Sequence, residues 1–101
     1  MILINETDGF LTTEQRMRRN ARIIVLALTA GVTTVQLGRA FHTSQKNISN
    51  IINRTAMRLD IEGGRLGLLA HFVRSGEITL AQLEPVYLEA VRLQFASRSR
   101  S

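Results

Sequence analysis

The chain has 101 residues, of which 45% are apolar and 21% charged, and none is cysteine. This is the size and mixture of a single globular domain. The longest apolar run spans residues 23–28, far short of the roughly 20 residues that a membrane-spanning helix needs. The lack of cysteine excludes disulfides, thiol catalysis and cysteine-ligated zinc, and we expect a reducing cytoplasm as the location.

The positive charge is concentrated in the middle of the chain. Thirteen basic residues, twelve of them arginine, give a net charge of +5. Residues 14–74 alone carry +7, whereas 1–13 carry −2 and 75–91 carry −3. Such a segment suits a polyanion, most often nucleic acid. A solvated surface on an arginine-rich protein would explain the charge equally well.

Capping signals predict the first two helices. Thr12 stands three residues before Gln15, which is capping-box spacing and predicts a helix over about 13–29 that Gly31 ends. The apolar run 23–28 lies in this helix, because no break separates it from the Thr12 start. The same spacing at Thr33 predicts a short helix over about 34–41.

The second half of the chain is also predicted to be helical. Ser44 can cap a third helix over about 45–59, and Gly76 ends a fourth over about 65–75. Thr79 and Gln82 repeat the capping-box spacing before a single turn at 80–84, and Pro85 suits the first position of a last helix over about 85–96. We therefore predict an all-α helix-turn-helix bundle of about five helices.

Four segments follow from these elements. We expect an N-terminal arm at residues 1–11 and a helix-turn-helix DNA-binding domain at residues 12–76, where the DNA-binding role is predicted from the third helix. Residues 77–96 form a C-terminal helical extension that is a candidate for dimerisation, and 97–101 form a basic tail.

The third helix has two chemically different faces on a helical wheel. Its inward positions are Ile48, Ile51, Ile52, Thr55, Ala56 and Leu59. Its outward positions are Lys46, Asn50, Asn53 and Met57, with Asn47, Ser49 and Arg54 at the edges. No acidic residue lies on the outward side, although a solvated face normally mixes both signs. This favours a DNA-reading helix, and the alternative is an amide-rich surface helix in an unrelated bundle.

The outward chemistry suits the DNA major groove. Asparagine amides pair with adenine N6 and N7, and lysine or arginine pairs with guanine O6 and N7. Arginines and the hydroxyls near helix starts can contact phosphates, and Gly38 lets the second helix approach the third closely. The predicted DNA-binding residues are Thr33, Thr34, Arg39, Thr43, Ser44, Gln45, Lys46, Asn47, Ser49, Asn50, Asn53, Arg54 and Arg58.

Residues 31–76 resemble the DNA-binding domain of LuxR/GerE-type transcription regulators. The matching positions are Gly31, Val32, Thr33, Leu37, Gly38, Phe41, Ser44, Lys46, Ile48, Leu59 and Ile61. The resemblance implies DNA contacts at Lys46, Asn47, Ser49 and Asn50, and dimerisation through the fourth helix. Asp60 stands where that family usually has glycine. The block is also similar to small plasmid and fimbrial-operon regulators of the KorA/TrfB and PapB kinds.

Two helices offer candidate dimer contacts. On the fourth helix, we expect a first apolar set to pack under the third helix, namely Leu66, Leu69, Ala70 and Val73. The last helix carries the apolar stripe Val86, Tyr87, Ala90, Val91 and Phe95. The dimer candidates are Leu68, Phe72, Tyr87 and Val91. Alternatively, the last helix covers Leu68 and Phe72 within one monomer.

The sequence thus predicts a transcription regulator, repressor or activator, that binds specific DNA with helix 45–58. We expect double-stranded DNA and a second copy of the chain as partners, with another regulator or RNA polymerase as further candidates. We expect no membrane partner, cofactor, metal or enzymatic activity, because no catalytic or metal-ligand pattern is visible. The alternative is a protein-binding adaptor or anti-activator that uses Leu68, Phe72 and the last helix. RNA binding is disfavoured because exposed aromatic residues are lacking.

Overall fold

The computed structural model describes residues 12–99, with side chains for 12–96. Within this part every regular element is an α-helix or a 3-10 helix, which confirms the predicted all-α fold. The predicted arm at 1–11 lies outside the described residues. The elements are α1 (Thr13–Thr29), α2 (Thr34–Ala40), α3 (Gln45–Arg58), α4 (Gly64–Ser75), a 3-10 turn (Leu80–Leu83) and α5 (Pro85–Ser99). Helix α5 continues beyond the predicted end at 96 and takes in part of the predicted tail. None of the helices between 12 and 99 is long and apolar enough to cross a bilayer.

The predicted capping signals start the helices. At α1 the Thr12 hydroxyl accepts the Gln15 amide hydrogen at 3.0 Å, and the Gln15 side chain accepts the Thr12 amide hydrogen at 2.8 Å. Equivalent boxes stand at Thr33 and Thr79, and Ser44 caps α3. Each cap satisfies amide groups that have no partner inside the helix.

The first three helices end in the same backbone reversal. After α3, Ile61 N donates to the Ala56 carbonyl at 2.9 Å and Asp60 N donates to the Met57 carbonyl at 3.2 Å, which is a Schellman motif. The residue that must turn left-handed is Gly31 after α1, but it is His42 (φ 57°) after α2 and Asp60 (φ 55°) after α3. Asp60 therefore occupies the position that most often requires glycine.

Helix α1 lies at the centre of the core. It packs against α3, α4 and α5, while α2 packs against α3 and α5. The predicted inward face of α3 is confirmed, because Ile48, Ile52, Thr55 and Ala56 are buried and Ile51 and Leu59 are half-buried. The apolar run of α1 supplies the buried side chains Ile24, Val25, Leu26 and Ala27.

The face of α4 that enters the core differs from the prediction. Leu68 and Phe72 are fully buried, and α4 packs against α1 and α3. Both residues are therefore unavailable as dimer contacts, and they share one core with buried residues of α1, α3 and the last helix. Leu66 is 68% exposed and Ala70 is exposed, so the expectation that they pack under α3 is wrong.

Gly67 explains this rotation of α4. A Cβ atom at Gly67 would lie 1.9 Å from the Glu62 carbonyl oxygen, so the chain entering α4 crosses the helix where no side chain exists. This close approach fixes which side of α4 faces the preceding loop. A helical wheel for α4 shows two apolar faces and contains no information about this contact.

Helix α5 also has two apolar faces. Leu88, Val91 and Phe95 face the core, and Val91 is only 8% exposed, which removes it as a dimer candidate. Tyr87 is 41% exposed, and Val86 and Ala90 of the predicted stripe are exposed as well.

An ion pair ties α1 to the segment after α4. Arg18 donates from Nε to Glu77 Oε2 at 2.7 Å and from Nη2 to Glu77 Oε1 at 2.5 Å. Its Nη2 also lies 3.0 Å from His71 Nε2, and its guanidinium sits 5.7 Å from the centre of the Phe72 ring. The hydrogen bonds from Arg18 are the main cause that lowers the pKa of Glu77 to about 2.

The Gly67 contact predicts a stability loss on Gly67→Ala. Alanine normally stabilises a helix interior relative to glycine by about 1 kcal/mol, but here its Cβ would overlap the Glu62 carbonyl. We expect the free energy of unfolding to fall by about 1–3 kcal/mol in urea titrations. Ala70→Gly, at an exposed position of α4, is the control that measures the effect of helix propensity alone. A Gly67→Ala variant more stable than wild type would contradict the contact.

The Glu77 pair predicts acid sensitivity. Because the folded-state pKa of Glu77 is about 2 against an ordinary value of 4.5, its stabilisation is fully present above about pH 4.5 and is lost as the pH falls towards 2. Glu77→Gln should lower the free energy of unfolding at pH 7 by about 1–2 kcal/mol, allowing for solvent screening. The variant should also lose less of this free energy than wild type as the pH falls from 4.5 towards 2. Glu89→Gln, which removes the more exposed Arg92 pair, should have a smaller effect. Equal acid profiles for wild type and Glu77→Gln would refute this role.

Candidate nucleic-acid interface

Helices α2 and α3 pack closely through a glycine. A Cβ at Gly38 would lie 2.7 Å from the Thr43 carbonyl oxygen and 3.3 Å from Gln45 N, so the predicted role of Gly38 is confirmed. The Thr43 amide also donates to the Gly38 carbonyl at 2.8 Å. The orientation of α3 relative to α2 is therefore fixed by backbone contact across the short turn 41–44.

The predicted hydroxyls near the helix starts take part in local structure. Thr33 Oγ1 accepts the Gln36 amide hydrogen at 3.1 Å, and Ser44 Oγ accepts the Asn47 amide hydrogen at 3.1 Å. Thr34 Oγ1 donates to Gln45 Oε1 at 3.2 Å and so links the starts of α2 and α3. The Thr33 and Ser44 hydroxyls thus cap their own helices, and the Thr34 hydroxyl connects the two helix starts.

One of the predicted base-reading asparagines has a structural role. The Asn47 side chain donates from Nδ2 to Thr43 Oγ1 at 3.0 Å, and its Oδ1 accepts from Arg54 Nη2 at 2.9 Å. Arg54 Nε also donates to the Asn50 carbonyl at 3.4 Å. Asn47 is half-buried and both ends of its amide are occupied, so its amide connects the turn before α3 to Arg54.

The remaining outward side chains of α3 are exposed. Lys46, Ser49, Asn50 and Asn53 all lie open to solvent. Among residues 12–96 the side chains of Lys46, Asn50 and Asn53 form no hydrogen bond or ion pair. Met57 lies on the same stripe and is 79% exposed. Two amides and one ammonium group thus point outward from one face of a rigid helix.

The charge on this surface is positive, and Arg58 forms an ion pair with a carboxylate of α1. Helix α3 contains no acidic residue, and Arg39 of α2 is exposed. Arg58 donates from Nη2 to Glu14 Oε1 of α1 at 2.8 Å, with both side chains more than half exposed. An exposed pair of this kind contributes no more than about 1 kcal/mol, so a phosphate can compete for Arg58.

A shallow groove borders each side of the outward face. One groove, of about 430 Å³, places Arg65 and Leu66 of α4 beside Ser49 and Asn53. The other, of about 480 Å³, is lined by Met17, Arg54, Met57 and Arg58. Arg65, Leu66 and Met17 were not predicted from the sequence as neighbours of this surface. No local signal could have revealed them, because the packing of α1 and α4 brings them there.

The exposed amides and ammonium group of α3 can donate and accept hydrogen bonds to the edge of a DNA base. An amide presents both kinds of group at once, which matches the edge of adenine in the major groove. In the described part of the chain, no group of three or more histidine and carboxylate side chains could hold a metal ion. The chemistry that this surface offers is hydrogen bonding and positive charge.

Comparisons of the chain with family models, curated proteins and solved structures found no match. The similarity to LuxR/GerE-type domains therefore stays a prediction from the sequence.

Proposed function

We propose that the chain is a sequence-specific DNA-binding transcription regulator that inserts α3 into the major groove, as a homodimer in the cytoplasm. The observation that carries this proposal is the exposed set Lys46, Asn50 and Asn53, without partners among the described residues, on a helix without any acidic residue. The similarity of residues 31–76 to LuxR/GerE-type domains supports the same function.

Affinity and specificity come from different side chains in this proposal. Lys46, Arg39 and Arg54 neutralise phosphates and release counterions, which supplies affinity for any sequence. Asn50 and Asn53 lie one turn apart on the exposed face and discriminate base edges through their amides. Met57, on the same stripe, offers an apolar contact of the kind that recognises the thymine methyl group.

The protein frame provides the rigidity that such recognition needs. A side chain discriminates bases only if its backbone is held in place, because a shift of about 1 Å breaks a bidentate hydrogen bond. Here α3 is held by its buried isoleucines, by the Gly38 contact and by the Asn47 bonds to Thr43 and Arg54.

The adaptor alternative loses two of the three parts of its proposed surface. It used Leu68, Phe72 and the last helix to contact another regulator, and the side chains of Leu68 and Phe72 are fully buried, so only the exposed face of α5 remains for such a contact. Exposure of Leu68 and Phe72 would require α4 to leave the core, which would cost several kcal/mol of buried apolar contact.

Selection from a random double-stranded DNA pool tests the proposal. The purified chain should enrich a common motif, and a palindromic motif would indicate two copies bound. The same selection with a Lys46→Ala, Asn50→Ala, Asn53→Ala triple variant is the control and should enrich none. Enrichment of no motif by the folded wild-type chain would exclude sequence-specific DNA binding.

Two matched asparagine substitutions on α3 should separate recognition from structure. Asn50→Ala should weaken binding to the selected site by about 1–3 kcal/mol while binding to random DNA changes little, and its melting temperature should stay near that of wild type because its amide has no partner among the described residues. Asn47→Ala should lower the melting temperature, because two side-chain hydrogen bonds are lost. Titrations by fluorescence anisotropy and thermal melts measure both effects. Equal weakening on both DNAs by Asn50→Ala would remove Asn50 from base recognition.

A further inference from the structure

The outward side of α5 carries an apolar stripe that nothing in the described chain covers. Val86, Ala90 and Leu93 are spaced four and three residues apart, which places them on one face of the helix. Val86 is 84% exposed, Leu93 is 52% exposed and Ala90 is also exposed. Tyr87, 41% exposed, stands at the edge of this stripe.

The opposite side of α5 is already buried in the core. Leu88 packs against the core there, and Val91 and Phe95 belong to it. A helix on the surface of a single domain normally presents one apolar face and one polar face. Helix α5 presents two, so the outward stripe is a candidate contact surface.

The charge around the stripe favours a second copy of this chain as the occupant. Glu89 and Arg92 are the charged residues of α5 up to residue 96, and Arg92 Nη2 pairs with Glu89 Oε2 at 2.5 Å. Helix α5 itself is therefore neutral up to residue 96, in a chain whose net charge is +5, and Arg22 of α1 lines a pocket beside Ala90 and Tyr87. The exposed Leu66, by contrast, lies beside Arg65 and borders the basic face of α3. Two copies with the same excess of positive charge repel each other less when they meet through α5 than through the basic face of α3.

The order of residues in the stripe is suited to pairing with itself. The small Ala90 lies between the larger Val86 and Leu93, so two antiparallel α5 helices can approach closely at Ala90, and each Val86 then lies near the partner's Leu93. Contact of one surface patch with the same patch on a second copy requires a two-fold axis. Small residues at a crossing point allow interaxial distances near the lower end of about 8–10 Å.

We propose that two copies of this chain pair through the outward faces of antiparallel α5 helices, about a two-fold axis at Ala90. This inference deepens the proposed function, on whose homodimer it rests, by naming the contact surface. Helix α3 packs against α1, α2 and α4, so pairing through α5 leaves Lys46, Asn50 and Asn53 exposed.

Opposite charges introduced at Ala90 test the symmetry directly. Sedimentation velocity without DNA should give wild type about twice the 11.3 kDa chain mass. Ala90→Asp alone and Ala90→Lys alone should each weaken association by at least about 10-fold, because like charges then meet at the axis. An equimolar mixture of the two variants should restore the dimer as a heterodimer.

Leu66→Asp is the matched control, since it places a carboxylate on an exposed apolar residue away from α5, and it should leave the wild-type mass unchanged. Circular dichroism establishes that each variant is folded, as expected for substitutions at exposed positions. A monomeric wild type, an Ala90→Asp variant that still dimerises, or a mixture that stays monomeric would each overturn the proposed axis.

The charge test at Ala90 and the DNA selection can fail independently of each other. A wild-type chain that dimerises through Ala90 but enriches no DNA motif would refute the DNA-binding function and leave the α5 contact standing. A chain that enriches a motif but fails the charge test at Ala90 would retain DNA binding and refute this contact.

Discussion

The anchoring of α3 through its inward face is the constraint on which the rest of the structure depends. Ile48 and Ile52 are buried against a core centred on α1, and the fully buried Thr55 satisfies its hydroxyl by donating to the Ile51 carbonyl at 2.8 Å. A helix fixed on one side by apolar burial presents its other side in a defined orientation. The exposed polar face of α3 is thus a direct consequence of how the opposite face is packed, and any function of that face depends on this packing.

The polar residues of α3 divide into two groups that sequence alone treats as equivalent. Asn47 and Asn50 are the same residue type, one turn apart, and the sequence predicted both as DNA contacts. Asn47 is bonded at both ends of its amide, to Thr43 and Arg54, whereas the Asn50 amide has no partner among the described side chains. The difference lies in their neighbours, because Thr43 in the turn before α3 and Arg54 on α3 both lie within hydrogen-bond distance of the Asn47 amide.

Backbone contacts at glycine decide how the elements meet. At Gly38 the absence of a side chain brings α2 against the turn into α3, and at Gly67 it brings the Glu62 carbonyl against α4. The role of Gly38 was predictable, because a small residue in a short helix before a tight turn is typical of close packing between the two helices. The role of Gly67 was not, because it faces a loop whose path no local pattern specifies.

The amino-acid sequence by itself determined the helices, their caps and the two faces of α3. Those features depend on interactions within a few residues, such as a threonine side chain bonded to an amide three positions later, or a helical period that sorts isoleucines from asparagines. Only the tertiary structure decided which apolar face of α4 and α5 enters the core, because each helix offers two. Leu68, Phe72 and Val91 became core residues, and Leu66, Val86 and Leu93 became surface residues, through contacts between segments far apart in the chain that local spacing cannot encode.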